Sequence, residues 1–265
     1  MKKILLLLTA TTVLVSCNKV GDGEFLITGK ADGIADGKMI ILEMQNEGGM
    51  GMTALDTVTV KDGKFEIKGK TAEPEFRLLN IQDREGKIPL IVENGEITVV
   101  VAKDSLFKSK VSGTYSNDEF SKFNVEIIKN QKDSQKKMMA FQEANMKQME
   151  AAQASKDQAT IARLMTEYQA IQKEGTLFYI KYAETHPKSF ITVLILQGMT
   201  NAPDVDVVKA EKIYNSLDES LKKTKPGKAV KTKLDQIKAP RVNSDPMAMP
   251  EAPVEAQAAP AAEAK

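Results

Sequence analysis

Leu55-Asp56-Thr57-Val58-Thr59-Val60-Lys61-Asp62-Gly63-Lys64-Phe65-Glu66-Ile67-Lys68-Gly69 decides the reading of the N-terminal half of the chain. Val58 and Val60 alternate with Thr57 and Thr59, and Phe65 and Ile67 alternate with Lys64, Glu66 and Lys68. A period of two makes a strand with one buried and one wet face. Asp62-Gly63 supplies the positive φ of a two-residue turn, so the pattern predicts a β-hairpin. Working outward, short apolar runs predict further strands at Phe25-Leu26-Ile27, Met39-Ile40-Ile41-Leu42, Phe76-Arg77-Leu78-Leu79, Ile88-Pro89-Leu90-Ile91-Val92 and Ile97-Thr98-Val99-Val100-Val101. Glu93-Asn94-Gly95-Glu96 predicts a second hairpin turn between the last two. Short strands at this spacing, with no helical pattern between them, indicate an antiparallel β-sandwich or partly open barrel.

From Tyr115 the period changes. Ser116 followed by Glu119 has the form of a capping box, and Phe120, Phe123, Ile127 and Ile128 then make a helical stripe. The helix is expected to run to about Ala152. Its second half, Asn130 to Gln153, is rich in Lys, Gln, Glu, Met and Ala and has only a thin apolar stripe. Ser155-Lys156-Asp157 turns the chain, and Ile161, Leu164, Met165, Tyr168, Ile171 and Phe178 mark a return helix ending at His186-Pro187. Shorter helices are expected near Ser189 to Gly198, Val205 to Leu217 and Lys228 to Ile237. The fold class is therefore α+β: a β domain over 25–113 and a helical domain over 114–238, led by a long helical hairpin. The Pro- and Ala-rich residues 239–265 have the composition of a disordered tail.

The N-terminus supplies an address. Lys2 and Lys3 precede the apolar runs Ile4 to Leu8 and Val13 to Val15, a stretch too short to span a bilayer and of the size of a secretory signal. Leu14-Val15-Ser16-Cys17 resembles the lipobox of bacterial lipoproteins. The resemblance implies cleavage after Ser16, acylation of Cys17 and a short tether over 17–24. Two or more acyl chains hold a protein firmly on a membrane. Asn18 after the cysteine favours the outer membrane, and the late position of Asp22 and Glu24 favours its periplasmic face.

Composition removes several kinds of chemistry. Cys17 is the one cysteine, which leaves no thiol for a disulfide, a redox pair or a thiolate metal site once it is acylated. His186 is the one histidine and precedes a proline, a position that suits a helix end. The formal charge of +1 gives no global attraction to nucleic acid. No carboxylate spacing singles out a general acid and base, so no catalytic residue, cofactor or metal ligand is assigned.

Several stretches resemble a family of Bacteroidetes lipoproteins in which an N-terminal domain of unknown function precedes a thioredoxin-like thiol-disulfide oxidoreductase domain. They are Leu55 to Lys70, Glu73-Pro74-Glu75-Phe76, Ile88 to Val101, Val111-Ser112-Gly113-Thr114 and His186-Pro187-Lys188-Ser189-Phe190. In that family the helical region leads into a Cys-x-x-Cys domain. Here Leu234-Asp235-Gln236-Ile237-Lys238 runs into the Pro/Ala-rich segment. The reductase is expected to be absent, and none of its catalytic residues is carried over.

Three other features invite a ligand. The thirteen methionines include Met138-Met139, Met146 and Met149, and thioethers suit Cu(I). At 1.5 Å per residue, however, Met138 and Met149 lie about 16 Å apart, which favours packing over coordination. The glycine-rich loop Glu47-Gly48-Gly49-Met50-Gly51-Met52 lacks the Lys-Ser/Thr ending of a phosphate loop. Lys222 to Lys238 is locally basic and reads as a solvated helix face. The function expected is a non-catalytic, lipid-anchored envelope protein that binds or scaffolds a protein partner, held to the membrane through Cys17. The alternative is an accessory working in trans with a separate thioredoxin-like oxidoreductase.

Overall fold

The structure, a computed structural model, describes residues 20–46 and 50–239. Eight strands come first: β1 (Glu24–Lys30), β2 (Met39–Gln45), β3 (Met52–Thr59), β4 (Lys64–Lys70), β5 (Glu75–Ile81), β6 (Ile88–Val92), β7 (Gly95–Val100) and β8 (Lys110–Ser112). They make two four-stranded sheets, ordered β4-β1-β7-β8 and β3-β2-β5-β6, which stack without closing into a barrel. Ile27, Ile67 and Ile97 from the first sheet meet Ile40, Leu79 and Leu90 from the second in one core. The pairings are antiparallel apart from β1 with β7, which is parallel.

The Asp62-Gly63 turn forms, but the hairpin it predicts does not. Asp62 and Gly63 take φ of 50° and 65°, and Lys61 and Lys64 exchange backbone bonds of 2.9 and 3.0 Å. Beyond that bridge the strands part into opposite sheets, β3 against β2 and β4 against β1. Different neighbours capture the two flanks. Val60 N–H donates to Lys38 O at 2.9 Å, while Ala31 N–H donates to Gly63 O at 2.8 Å. Glu93-Asn94-Gly95 is likewise a crossing between sheets: β6 pairs with β5, and β7 with β1 and β8. Gly95 takes a φ of 125°, and the Asn94 amide donates to Gly21 O and Glu24 O at 2.7 and 2.8 Å. Both crossings have one cause. A tight turn fixes the chain reversal, and the interlayer packing decides which sheet each arm joins.

Among the described residues six α-helices follow: α1 (Tyr115–Ser155), α2 (Gln158–Thr185), α3 (Phe190–Asn201), α4 (Val207–Ser216), α5 (Glu219–Lys223) and α6 (Lys225–Lys238). The capping box expected at Ser116 is absent, because α1 starts two residues earlier, with Thr114 at its N-cap. A remote carboxylate takes over. Glu93 accepts from Ser116 N–H at 2.8 Å and from Ser116 Oγ at 2.6 Å, placing a negative charge at the positive end of the helix. Glu119 instead pairs with Lys122.

The first turns of α1 also stop two sheet edges. Asn117, fully buried, accepts from Ile91 N–H at 2.9 Å and donates to Ile91 O at 2.7 Å, pairing the outer backbone of edge strand β6. Ser121 Oγ donates to Val111 O on edge strand β8. A second tie joins sheet and helices where both carboxylate oxygens of Glu73 accept from Lys225 N–H, at 3.0 Å each, at the start of α6. Ile91, on the outer face of its sheet, joins Val193, Leu196, Ile213 and Leu234 in the core that α3, α4 and α6 share.

Candidate docking face on the helical arm

α1 and α2 form an antiparallel arm. Lys156, at φ 55°, ends α1, and Asp157 caps α2 by accepting from Thr160 N–H at 3.1 Å and from Thr160 Oγ at 2.7 Å. Those Thr160 bonds hold the Asp157 carboxyl below its usual range. At the base of the arm Phe123 stacks on Phe178, with centroids 5.7 Å apart, and lies 4.3 Å from Tyr182. Ile191 and Ile195 of α3 join this cluster. Burial pushes the Tyr182 phenol up, and its hydroxyl lies 3.2 Å from Ser189 Oγ.

Beyond Phe123 the seam thins. Asn130 Nδ2 donates to Gly175 O at 3.1 Å, and Phe141 meets Tyr168 at 6.2 Å. Among the described residues of the two helices, only Ala152 and Leu164 are buried between Phe123 and Tyr182.

The two flanks of the arm differ in charge. Lys137 pairs with Glu174, and Arg163 donates to Gln148 Oε1 at 3.1 Å, so these contacts cross the seam on one side. At about 100° per residue, Glu126, Lys129, Asp133 and Lys147 share that side of α1, and Glu167 and Lys181 share that side of α2. The opposite side carries no charge short of its outer edge, where Lys132 and Glu150 of α1 and Lys173 of α2 lie. From α1 it presents Ile128, Gln131, Gln135, Met139, Gln142 and Met146, and from α2 it presents Ala162, Met165, Gln169, Gln172 and Thr176. Ile128, Met139, Met146 and Met165 are 49%, 61%, 59% and 47% exposed. Toward the base the same side continues as Phe120, Ile180 and Ala183, which pack against the core of the shorter helices. The uncharged face is thus the distal continuation of a helix-packing surface.

The residues singled out in the sequence fall in different places. Cys17, the expected lipidation site, lies outside the described residues, as do the expected signal sequence, Glu47 to Gly49 and residues 240–265 of the expected tail. Met138 and Met149 are half-buried, while Met139 and Met146 project outward. Among the described residues no group of three or more His, Cys, Asp or Glu gathers as metal ligands. His186 caps the C-terminus of α2 and stacks flat on Tyr182 at 4.0 Å, with Nδ1 2.9 Å from Thr185 Oγ1. Part of the basic run is tied down, with Lys222 on Glu219, Lys231 on Asp235 and Lys238 on Glu211. Among the described residues no helix is long and apolar enough to cross a membrane.

The eight strands and the turn that starts α1 have a counterpart elsewhere. Residues 25–120 match the model of a domain of unknown function, DUF4369. The matched segment takes in the whole sandwich and the Asn117 contact, and it stops before the arm leaves the body. No curated protein and no solved structure shows a match. Sequence reasoning missed the uncharged face because it counted the Met and Gln content of α1 without separating the two flanks. A helical projection of α1 and α2 aligned on the Phe141–Tyr168 seam brings it out.

Proposed function

We propose that this chain is a non-catalytic, lipid-anchored module of the cell envelope whose helical arm binds a protein. The observation that carries this reading is the arm itself, two helices extending past the body with every charge on one flank or the outer edges. Methionine and glutamine suit an adaptable protein contact, since thioethers repack easily and amides both donate and accept. Acylation at Cys17 would hold the body on the membrane and leave the arm free to meet other molecules there. The test is photo-crosslinking in intact envelopes of the full chain carrying a benzophenone amino acid at single sites. Gln135, Met146 and Met165 are expected to give protein adducts, and Lys129 and Lys147 are not. Adducts from neither set would end the reading.

A further inference from the structure

The geometry points to a second copy of this chain as the occupant of the uncharged face, the two arms packing face to face and antiparallel. This inference rests on the reading of the arm as the binding element and names its partner.

Three observations favour a copy of the same chain. The first is chemical. Gln131, Gln135, Gln142, Gln169 and Gln172 carry side-chain amides that both donate and accept, so such a face can satisfy an identical face. Lipid tails could not, because buried amides without partners are costly. Nor does a face without charge repel its own copy across a two-fold axis.

The second is size. From Ile128 to Gln153 the face runs about 40 Å at 1.5 Å per residue, and two packed helices are about 20 Å wide. That gives roughly 800 Å² on each copy, the standard area for a stable protein interface. The third is the thinness of the arm. With only Ala152 and Leu164 buried along its seam between Phe123 and Tyr182 among the described residues, pairing into four helices would cover what two leave bare.

The shape of the chain selects the antiparallel arrangement. α3 and the shorter helices occupy this same side of the arm at its base, against Phe120, Ile180 and Ala183. A parallel pair would drive one body into the other. With the arms antiparallel, the tip of each points toward the base of its partner, and the two-fold axis crosses the middle of the arm, near Met139 and Gln142.

Cysteine substitutions test this in the full chain in its own envelope, where the parent's sole cysteine is Cys17. Residues near a two-fold axis meet their own mates, so Met139→Cys and Gln142→Cys are expected to form disulfide-linked dimers under mild oxidation. Lys136→Cys, Lys147→Cys and the parent are expected to stay single. Gln142→Glu, added to Met139→Cys, should lower cross-linking by about tenfold, since like charges would then meet at the axis. Co-expressing a Gln142→Lys copy that also carries Met139→Cys should restore it. Equal cross-linking from both flanks, or dimers indifferent to Gln142→Glu, would overturn the inference. Adducts from Met139→Cys and Gln142→Cys that hold a different protein would also overturn it while leaving the binding reading intact. Face positions that join to nothing, by disulfide or by photo-crosslinking, would remove both.

Discussion

Phe65 lies directly across from Gly29 in the β1–β4 pair, and its ring fills the space a side chain at Gly29 would need: a Cβ there would stand 1.9 Å from the ring Cε1. The same pair carries the reciprocal arrangement, Phe25 opposite Gly69, with Ile27 opposite Ile67 between them. Two aromatic rings thus cover two glycines on the core face of one antiparallel pair, which pins its register.

Gly29→Ala is therefore expected to destabilise the sandwich by about 1–3 kcal/mol, the usual cost of overpacking a core. Urea unfolding would measure it. Phe65→Leu should recover part of the loss in the double mutant, and additive effects of the two changes would show that the ring and the glycine do not interact.

Asn117→Leu should cost more than its change in shape suggests. It leaves the Ile91 N–H and C=O unpaired in a buried site, at about 1–3 kcal/mol for each orphaned group. Amide exchange at Ile91 reports this directly, and protection equal to wild type would refute it.

Gly175→Leu is expected to splay the arm while sparing the body. Even a Cβ at Gly175 would stand 3.0 Å from Ser134 Oγ, and a larger side chain must push α1 away. Gly175→Ala should be close to neutral, since the gain of about 1 kcal/mol in helix propensity offsets the crowding of a mobile hydroxyl. Hydrogen exchange across 130–172 separates the two variants, and unchanged protection in the leucine variant would sink the expectation.

The tip of the arm should respond to acid. The folded state lowers the Asp157 pKa below its ordinary 3.8 by hydrogen bonding with Thr160, so this cap contributes fully above that value and is lost as pH falls through the folded pKa. Thr160 amide protection is expected to drop below about pH 4. Asp157→Asn keeps a capping oxygen and does not titrate, so it should flatten that drop. A profile identical to wild type would assign the effect elsewhere.

Cys17→Ser should abolish incorporation of labelled palmitate and impair processing of the signal sequence. Label that persists in the mutant would place the acyl group elsewhere.

Strand positions were legible in the sequence because alternation and turn residues are local. Strand partners were not. Val58 and Val60 point into the core whether β3 pairs with β4 or with β2, so the burial pattern is the same in a hairpin and in a sheet crossing. The cue that separates them is long-range, the Phe65–Gly29 and Phe25–Gly69 opposition that commits β4 to β1. The start of α1 was misread for a similar reason. Ser116 and Glu119 have the spacing of a reciprocal cap, but the capping charge comes from Glu93, across the fold. The arm's length, turn and seam were readable from a period of three and four. Its uncharged face was not, because the side a helix leaves open depends on where its partner lies.

The junction at Asn117 bears on how such a sandwich is inherited. The residues that stopper the edge of β6 belong to the helix that follows, yet they fall inside the segment 25–120 that recurs as a recognisable module. The transferable piece is therefore a sandwich carrying the first turns of its neighbour. Any helix spliced on after Phe120 meets the β6 edge already sealed at Ile91, so the appendage can be exchanged without baring that strand to others, while β8 needs a new partner in place of Ser121. A cut at Gly113, where strand gives way to helix, would strip that seal and leave the outer backbone of Ile91 bare.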